Sequence, residues 1–129
     1  MKPKISIIIA TFNRAHFILK MLNSVQKQTL TSWECFIIDD GGSDNTLEVI
    51  TPMLEQDLRF KFLKRPDNYK KGLPGSRNYG LDISRGEYVV FFDDDDLVDK
   101  KLLSIAVKAI EDNNVSYSHY QKKSFEDDK

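Results

Sequence analysis

The chain is poor in the features that would send it to the commonest special classes. It has a single cysteine, Cys35, lying inside an apolar segment, so a disulfide framework and a cysteine-based zinc site are both excluded. A reducing, cytoplasmic setting is the simplest expectation. It has no excess of basic charge. The formal net charge is −1, and no global field draws the chain to nucleic acid. It has no long hydrophobic run. The apolar stretch at 5–9 is too short for a membrane span, ends at once in Thr11 to Arg14, and lacks the cleavage pattern of a signal peptide. No internal repeat and no linker interrupt the 129 residues, a length suited to one modest domain with a real core.

Four apolar runs stand out, at 5–10, 33–38, 60–63 and 88–92, with a weaker fifth at 115–120. The first, second and fourth are nearly continuous, which suits central strands covered on both faces. Helical spacing lies between them. Ile18, Met21, Leu22 and Val25 fall at i, i+3, i+4, i+7, and so do Leu103, Ala106, Val107 and Ile110. Leu47, Ile50 and Leu54 follow the same rule, with Ser43 or Asp44 as N-cap and Pro52 expected to kink or restart the helix. Pro74 suits the first turn of a helix running to about Ser84. Alternation of this kind predicts an α/β fold, a mostly parallel sheet with helices on both faces joined by right-handed crossovers. The domain is expected to span 1–120, with a charged, frayed tail at 121–129.

Ligands of such sheets bind beyond the carboxyl ends of the strands. Three polar clusters fall there: Thr11-Phe12-Asn13-Arg14, the segment from Asp39 to Thr46, and the aspartates Asp93 to Asp96. Each alone has an ordinary reading. Asp39-Asp40-Gly41-Gly42 is also a good turn before a capped helix, Lys70 and Lys71 suit a solvated loop, and Asp96 or Asp99 suits a helix cap. Together on one edge they form one site. Asp40 carries a carboxylate that only accepts, so it would select a ligand donor such as a base N–H or a ribose hydroxyl. Arg77, near a helix N-terminus, could meet a phosphate or a base carbonyl with two parallel hydrogen bonds. Four adjacent carboxylates repel one another, and a hard divalent cation, Mg²⁺ or Mn²⁺, with bound phosphates is the obvious compensation. Period-two alternation, if it persists, sends Asp93 and Asp95 to one side and Asp94 and Asp96 to the other, leaving the latter two as bystanders to the metal. Cys35, Trp33 and Phe36 read as core, and His16 and His119 have no assigned role.

The four segments 7–14, 37–44, 75–81 and 86–96, in this order, resemble the N-terminal half of family 2 glycosyltransferases of the GT-A fold. The resemblance covers about residues 3–112 and implies a nucleotide-sugar donor, commonly UDP-linked. By position, Thr11 and Phe12 would line the uracil site, with Asn13 and Arg14 beside them. Asp40 would bond the uracil imide, and Arg77 would sit next to it. Asp93-Asp94-Asp95 looks like the family's Asp-X-Asp motif, with Asp93 and Asp94 among the nucleotide-binding residues, Asp93 near the ribose or sugar, and Asp95, together with Asp93, on the metal that bridges the diphosphate. That metal, Mn²⁺ or Mg²⁺, would stabilise the leaving diphosphate as a Lewis acid. Transfer would go to a saccharide or lipid-linked saccharide, such as a growing polysaccharide, with inversion.

Two departures accompany the resemblance. Gly42 stands where the family often has Ser. Similar enzymes also continue into an acceptor-binding half that supplies an acidic base, so the base is expected beyond Lys129 and this chain is expected to be a poor catalyst alone. Membrane association, at the inner face, is expected only through that further sequence. Two other readings stay open. One is a non-catalytic nucleotide-sugar-binding module or subunit. The other, ranked last, is a sugar-1-phosphate nucleotidyltransferase, whose glycine-rich loop should follow the first strand, where this chain has no glycine.

Overall fold

A computed structural model of the protein describes residues 2–113. The expected fifth strand at 115–120 and the tail at 121–129 lie outside the described residues. Four strands and four helices alternate along the chain: β1 (Ile5–Thr11), α1 (Ala15–Gln26), β2 (Trp33–Asp39), α2 (Thr46–Gln56), β3 (Phe60–Lys64), α3 (Leu73–Ile83), β4 (Tyr88–Asp93) and α4 (Leu102–Asp112). The strands form one parallel sheet in the order β3-β2-β1-β4. Each expected strand gains one residue at its carboxyl end, and in β1, β2 and β4 that residue is polar: Thr11, Asp39 and Asp93.

The near-continuous apolar runs are explained by burial on both faces. On one face Ile5, Ile7 and Ile9 of β1 pack with Ile18, Met21, Leu22 and Val25 of α1, Ile50 and Met53 of α2, and Leu103, Val107 and Ile110 of α4. On the other, Ile8, Phe36, Ile38, Val89 and Phe91 meet Tyr79, Leu81 and Ile83 from the region of α3. Full burial of each such side chain contributes about 1.5–3 kcal/mol, so this two-faced core is the main source of stability. α3 lies very close to the sheet at Gly80, where an added Cβ would come within 2.5 Å of Ile8 Cγ2.

The expectation at Pro52 is corrected in part. The helix does not restart there; α2 runs unbroken through Pro52 to Gln56. Proline removes one N–H and leaves the Glu48 carbonyl without its helical donor. Both residues are exposed, so water can take the donor's place. The cap also differs: Asn45 occupies the N-cap position, while Asp44 just before it accepts from the Thr46 N–H and hydroxyl. Pro74 falls in the first turn of α3, as its spacing predicts.

At the amino end of the sheet a buried carboxylate is closed off by protein donors. Glu34, 4% exposed, accepts the Ser6 hydroxyl at 2.6 Å and the Arg85 N–H at 2.8 Å, and Ser6 Oγ accepts the Gly86 N–H at 2.7 Å. This ties β1, β2 and the turn before β4 together. Beside it Lys4 pairs with Glu87 and Glu111, and the Tyr88 hydroxyl donates to Glu111 at 3.0 Å.

Candidate functional site

The parallel register levels the strand ends. Thr11 lies opposite Asp39, and Ala10 opposite Asp93, so the loops after β1, β2 and β4 open on one edge. A cavity of about 350 Å³ sits there, lined by Ala10, Thr11, Phe12, Arg14, Asp40, Gly72, Leu73 and Asp94. Of the expected site residues, Thr11, Phe12, Arg14, Asp40 and Asp94 thus meet in one hollow.

Thr11 is 2% exposed, and its buried hydroxyl makes no hydrogen bond of good geometry, though it lies close enough to the Asp94 carboxylate to favour that group's ionised form. A buried hydroxyl in that state costs free energy unless something supplies a partner. Phe12, by contrast, is 50% exposed, an aromatic face offered to the cavity mouth.

Asn13 does different work from the residues around it. Its backbone is left-handed, with φ +54°, a conformation asparagine tolerates. Its side-chain oxygen accepts the N–H of Ser43 at 2.7 Å and of Asp44 at 3.1 Å. That oxygen ties the β1–α1 loop to the β2–α2 loop. Gly42 belongs to the same tie: a Cβ there would come within 2.8 Å of Asn13 Oδ1 and 3.1 Å of the Asn13 nitrogen. Glycine in place of the family's common serine is thus a local fit to Asn13. Asp44 strengthens the junction by accepting the Ala15 N–H at 3.1 Å. Its hydrogen bond from the Thr46 hydroxyl is the main reason its carboxyl titrates below the usual range.

Asp40, 8% exposed, follows β2. Burial pushes its carboxyl up, but Ser76, Arg65 and the Gly72 N–H together outweigh it and hold it below the ordinary value. Arg65 Nε donates to Oδ1 at 2.7 Å, and Ser76 Oγ to the same oxygen at 2.7 Å. The Gly72 N–H reaches both oxygens, at 3.1 and 3.0 Å. Asp40 is therefore ionised and accepts only, as its proposed role requires.

Arg65 was not among the expected site residues, and Ser76 belongs to the expected 75–81 segment but had no role of its own there. A register argument finds Arg65: Asp39 pairs with Lys64, so the residues that directly follow the two strands, Asp40 and Arg65, continue side by side. Arg77, expected beside Asp40, instead lies by Asp93, its Nη2 3.5 Å from Oδ1 and its guanidinium 5.3 Å from the Phe91 ring centre. Lys70 and Lys71 are exposed.

The alternation expected through the aspartates stops at Asp93, where β4 ends; Asp94 and Asp95 form a turn closed by the Asp96 N–H to the Asp93 carbonyl at 3.4 Å. The turn brings carboxylate oxygens of Asp93, Asp95 and Asp96 within 4.8 Å of one another. Asp96 is thus a third member of the group rather than a bystander. Asp94 turns the other way, into the cavity. Burial there raises its carboxyl above the ordinary range, against the opposing pull of Thr11 and Arg14. Arg14 Nη1 lies 3.8 Å from Asp95 Oδ2. An all-oxygen, all-carboxylate trio suits a hard cation such as Mg²⁺ or Mn²⁺. Oxygens about 2.1 Å from one cation lie at most about 4.2 Å apart, so the trio would draw together on binding one.

Cys35 is fully buried and its thiol pushed up by burial, so it behaves as core. His16 is exposed and His119 lies outside the described residues.

The model of glycosyl transferase family 2 matches residues 6–129. Over 118 residues the chain is 39% identical to a GalNAc(5)-diNAcBac-PP-undecaprenol beta-1,3-glucosyltransferase of Campylobacter jejuni, covering 91% of this chain and 37% of that protein. Over 115 residues it is 34% identical to a UDP-Glc:alpha-D-GlcNAc-diphosphoundecaprenol beta-1,3-glucosyltransferase of Escherichia coli, covering 89% of this chain and 44% of that protein. The fold matches Staphylococcus aureus TarS in complex with UDP-GlcNAc at a TM-score of 0.75 and 32% identity, over 84% of this chain and 31% of that one. The chain spans less than half the length of each of these relatives.

Proposed function

The chain belongs to glycosyl transferase family 2, and from that premise we propose that it is the donor-binding portion of a metal-dependent, inverting glycosyltransferase. The donor is a UDP-sugar and the acceptor a lipid-linked saccharide at the inner face of a membrane. Residues 1–120 are the donor-binding domain, and 121–129 a tail. The observation that carries the reading is the meeting of an acceptor-only carboxylate (Asp40), an exposed ring (Phe12) and a buried hydroxyl (Thr11) in one cavity beside three clustered carboxylates. Among the described residues no helix is long and apolar enough to cross a membrane. Both curated relatives are named for undecaprenol-linked acceptors, which favours an acceptor that remains in a lipid surface.

In this reading Asp40 accepts the imide N–H of uracil, which fixes the base and rejects rings that present an acceptor there. Phe12 covers the base, and Thr11 and Asp94 line the floor against the sugar ring of the nucleoside. Asp93, Asp95 and Asp96 would hold Mn²⁺ or Mg²⁺, which when bound neutralises the diphosphate as the sugar–phosphate bond breaks. Arg14 and Arg77, flanking the carboxylates, orient the diphosphate oxygens. No residue of the described chain is assigned as the base that deprotonates the acceptor hydroxyl, so these 129 residues are expected to bind donor without turning it over.

Calorimetric titration with UDP, GDP and CDP, with and without Mn²⁺, tests this. UDP should bind most tightly, and only with metal. Equal binding of UDP to wild type and to Asp95→Ala would overturn the site, and transfer by the 129-residue chain alone would overturn the missing base.

A further inference from the structure

We propose that Arg65 is a positioning residue of the donor cavity: it fixes the Asp40 carboxylate so that Oδ2 alone faces the base, which makes the site select a pyrimidine with a ring N–H over one with a ring acceptor. This rests on the donor-binding reading above and adds how base choice is enforced.

Arg65 directly follows the edge strand β3, and its own N–H donates to the Asp39 carbonyl at 2.8 Å. Its guanidinium is held at both ends. Nε donates to Asp40 Oδ1 at 2.7 Å, while Nη1 donates to the carbonyls of Tyr69 at 2.7 Å and Pro66 at 3.2 Å. The side chains of Arg65 and Asp40 are each only 11% exposed. A planar, multiply bonded guanidinium of this kind fixes its partner's orientation as well as its charge.

The two Asp40 oxygens are loaded unequally. Oδ1 accepts from Arg65, Ser76 and the Gly72 N–H, which fills its acceptor sites. Oδ2 accepts only from the Gly72 N–H. A carboxylate oxygen offers about two lone-pair sites, so Oδ2 keeps one for a ligand in the cavity that Asp40 lines. An N–H at ring position 3, as in uracil, matches it. A bare ring nitrogen, as in cytosine, is repelled. The other charged groups lining that cavity are Arg14 and Asp94, and neither is a hydrogen-bond partner of Asp40. Without Arg65 the carboxylate keeps only Ser76 and the Gly72 N–H, so it is less firmly fixed and more easily protonated, and a protonated carboxyl donates where cytosine accepts. Arg65 therefore acts on the ratio of the two nucleotides, beyond overall affinity.

The test is calorimetry of the 129-residue chain with UDP and with CDP in the presence of Mn²⁺, at about pH 7 and about pH 5.5, for wild type, Arg65→Gln and Arg65→Lys. Arg65→Gln should lose roughly tenfold in UDP affinity while holding or gaining CDP affinity, so the ratio collapses. The loss should grow on acidification relative to wild type, since titration of the diphosphate is common to both proteins and cancels. Arg65→Lys should recover part of the ratio. A folded Arg65→Gln that weakens both nucleotides equally, or neither, overturns the proposal. If Arg65→Gln does not fold, Arg65→Lys carries the test: it keeps the charge without the planar fork, and a ratio equal to that of wild type there overturns the proposal as well. A wild-type chain without preference for UDP would instead sink the donor reading on which the proposal stands.

Discussion

The two ends of the sheet treat buried acids in opposite ways. At the amino end Glu34 is closed by Ser6 and Arg85, and the outer acids Glu87 and Glu111 are gathered by Lys4. At the carboxyl end Asp94 is buried at 9% exposure with its carboxyl raised by that burial. Asp93, Asp95 and Asp96 crowd together there, with Arg77 3.5 Å from Asp93 and Arg14 3.8 Å from Asp95. Protein donors that complete an acid make it scaffold. An acid left with an electrostatic debt beside a cavity is held ready for a ligand. Asp40 stands between the two cases, with one oxygen closed by the protein and the other turned to the cavity.

That contrast can be broken, most sharply at Asp95. Asp95→Ala should lose on the order of a hundredfold in Mn²⁺-dependent UDP affinity by calorimetry, while its melting temperature without metal stays within about 2 °C of wild type. A large fall in metal-free stability would make Asp95 scaffold after all. Glu34→Ala should do the reverse. Removing a buried acid with its donors left behind costs about 3 kcal/mol in urea unfolding, and UDP affinity of the folded protein stays unchanged. A smaller effect divides the aspartates themselves. Asp96→Asn should weaken Mn²⁺ binding roughly tenfold, whereas Asp94→Asn should change it by no more than about twofold; equal losses would restore the alternating pairing. The smallest effect belongs to Lys4→Met. Lys4 is the main reason the Glu111 carboxyl lies below the usual range. Its contribution is therefore present above the unfolded carboxylate value and is lost as pH falls through the depressed one. Thermal scans of wild type and Lys4→Met should differ by about a degree or two near neutrality and converge once the pH falls below the depressed Glu111 value.

The fold was legible because burial on both faces writes itself as unbroken apolar runs, and because helical spacing between them admits few topologies. The cavity was legible from three loops: Thr11, Phe12, Arg14, Asp40 and Asp94 follow from knowing which edge binds. Orientation within loops was not. Whether Asn13 faces ligand or backbone depends on a left-handed residue, and whether Asp96 joins Asp93 depends on where β4 stops and a turn begins. Arg65 was hidden for a different reason. It touches Asp40 only through a pairing 25 residues apart in sequence, which becomes visible once β3 is set in register beside β2. Arg77 was placed beside the base by resemblance, yet its guanidinium reaches the acidic side.

The tie through Asn13 has a consequence for how this edge can evolve or be redesigned. Its side-chain amide occupies the space a Cβ at residue 42 would need, and its left-handed backbone sets where that amide lies. The two positions therefore behave as one heritable unit. A serine introduced at 42 pushes against Asn13, and a residue other than asparagine at 13 releases two amides that Gly42 alone does not satisfy. Grafting either loop onto a relative without the other should loosen the cavity mouth, whereas exchanging both together should carry the base site across intact.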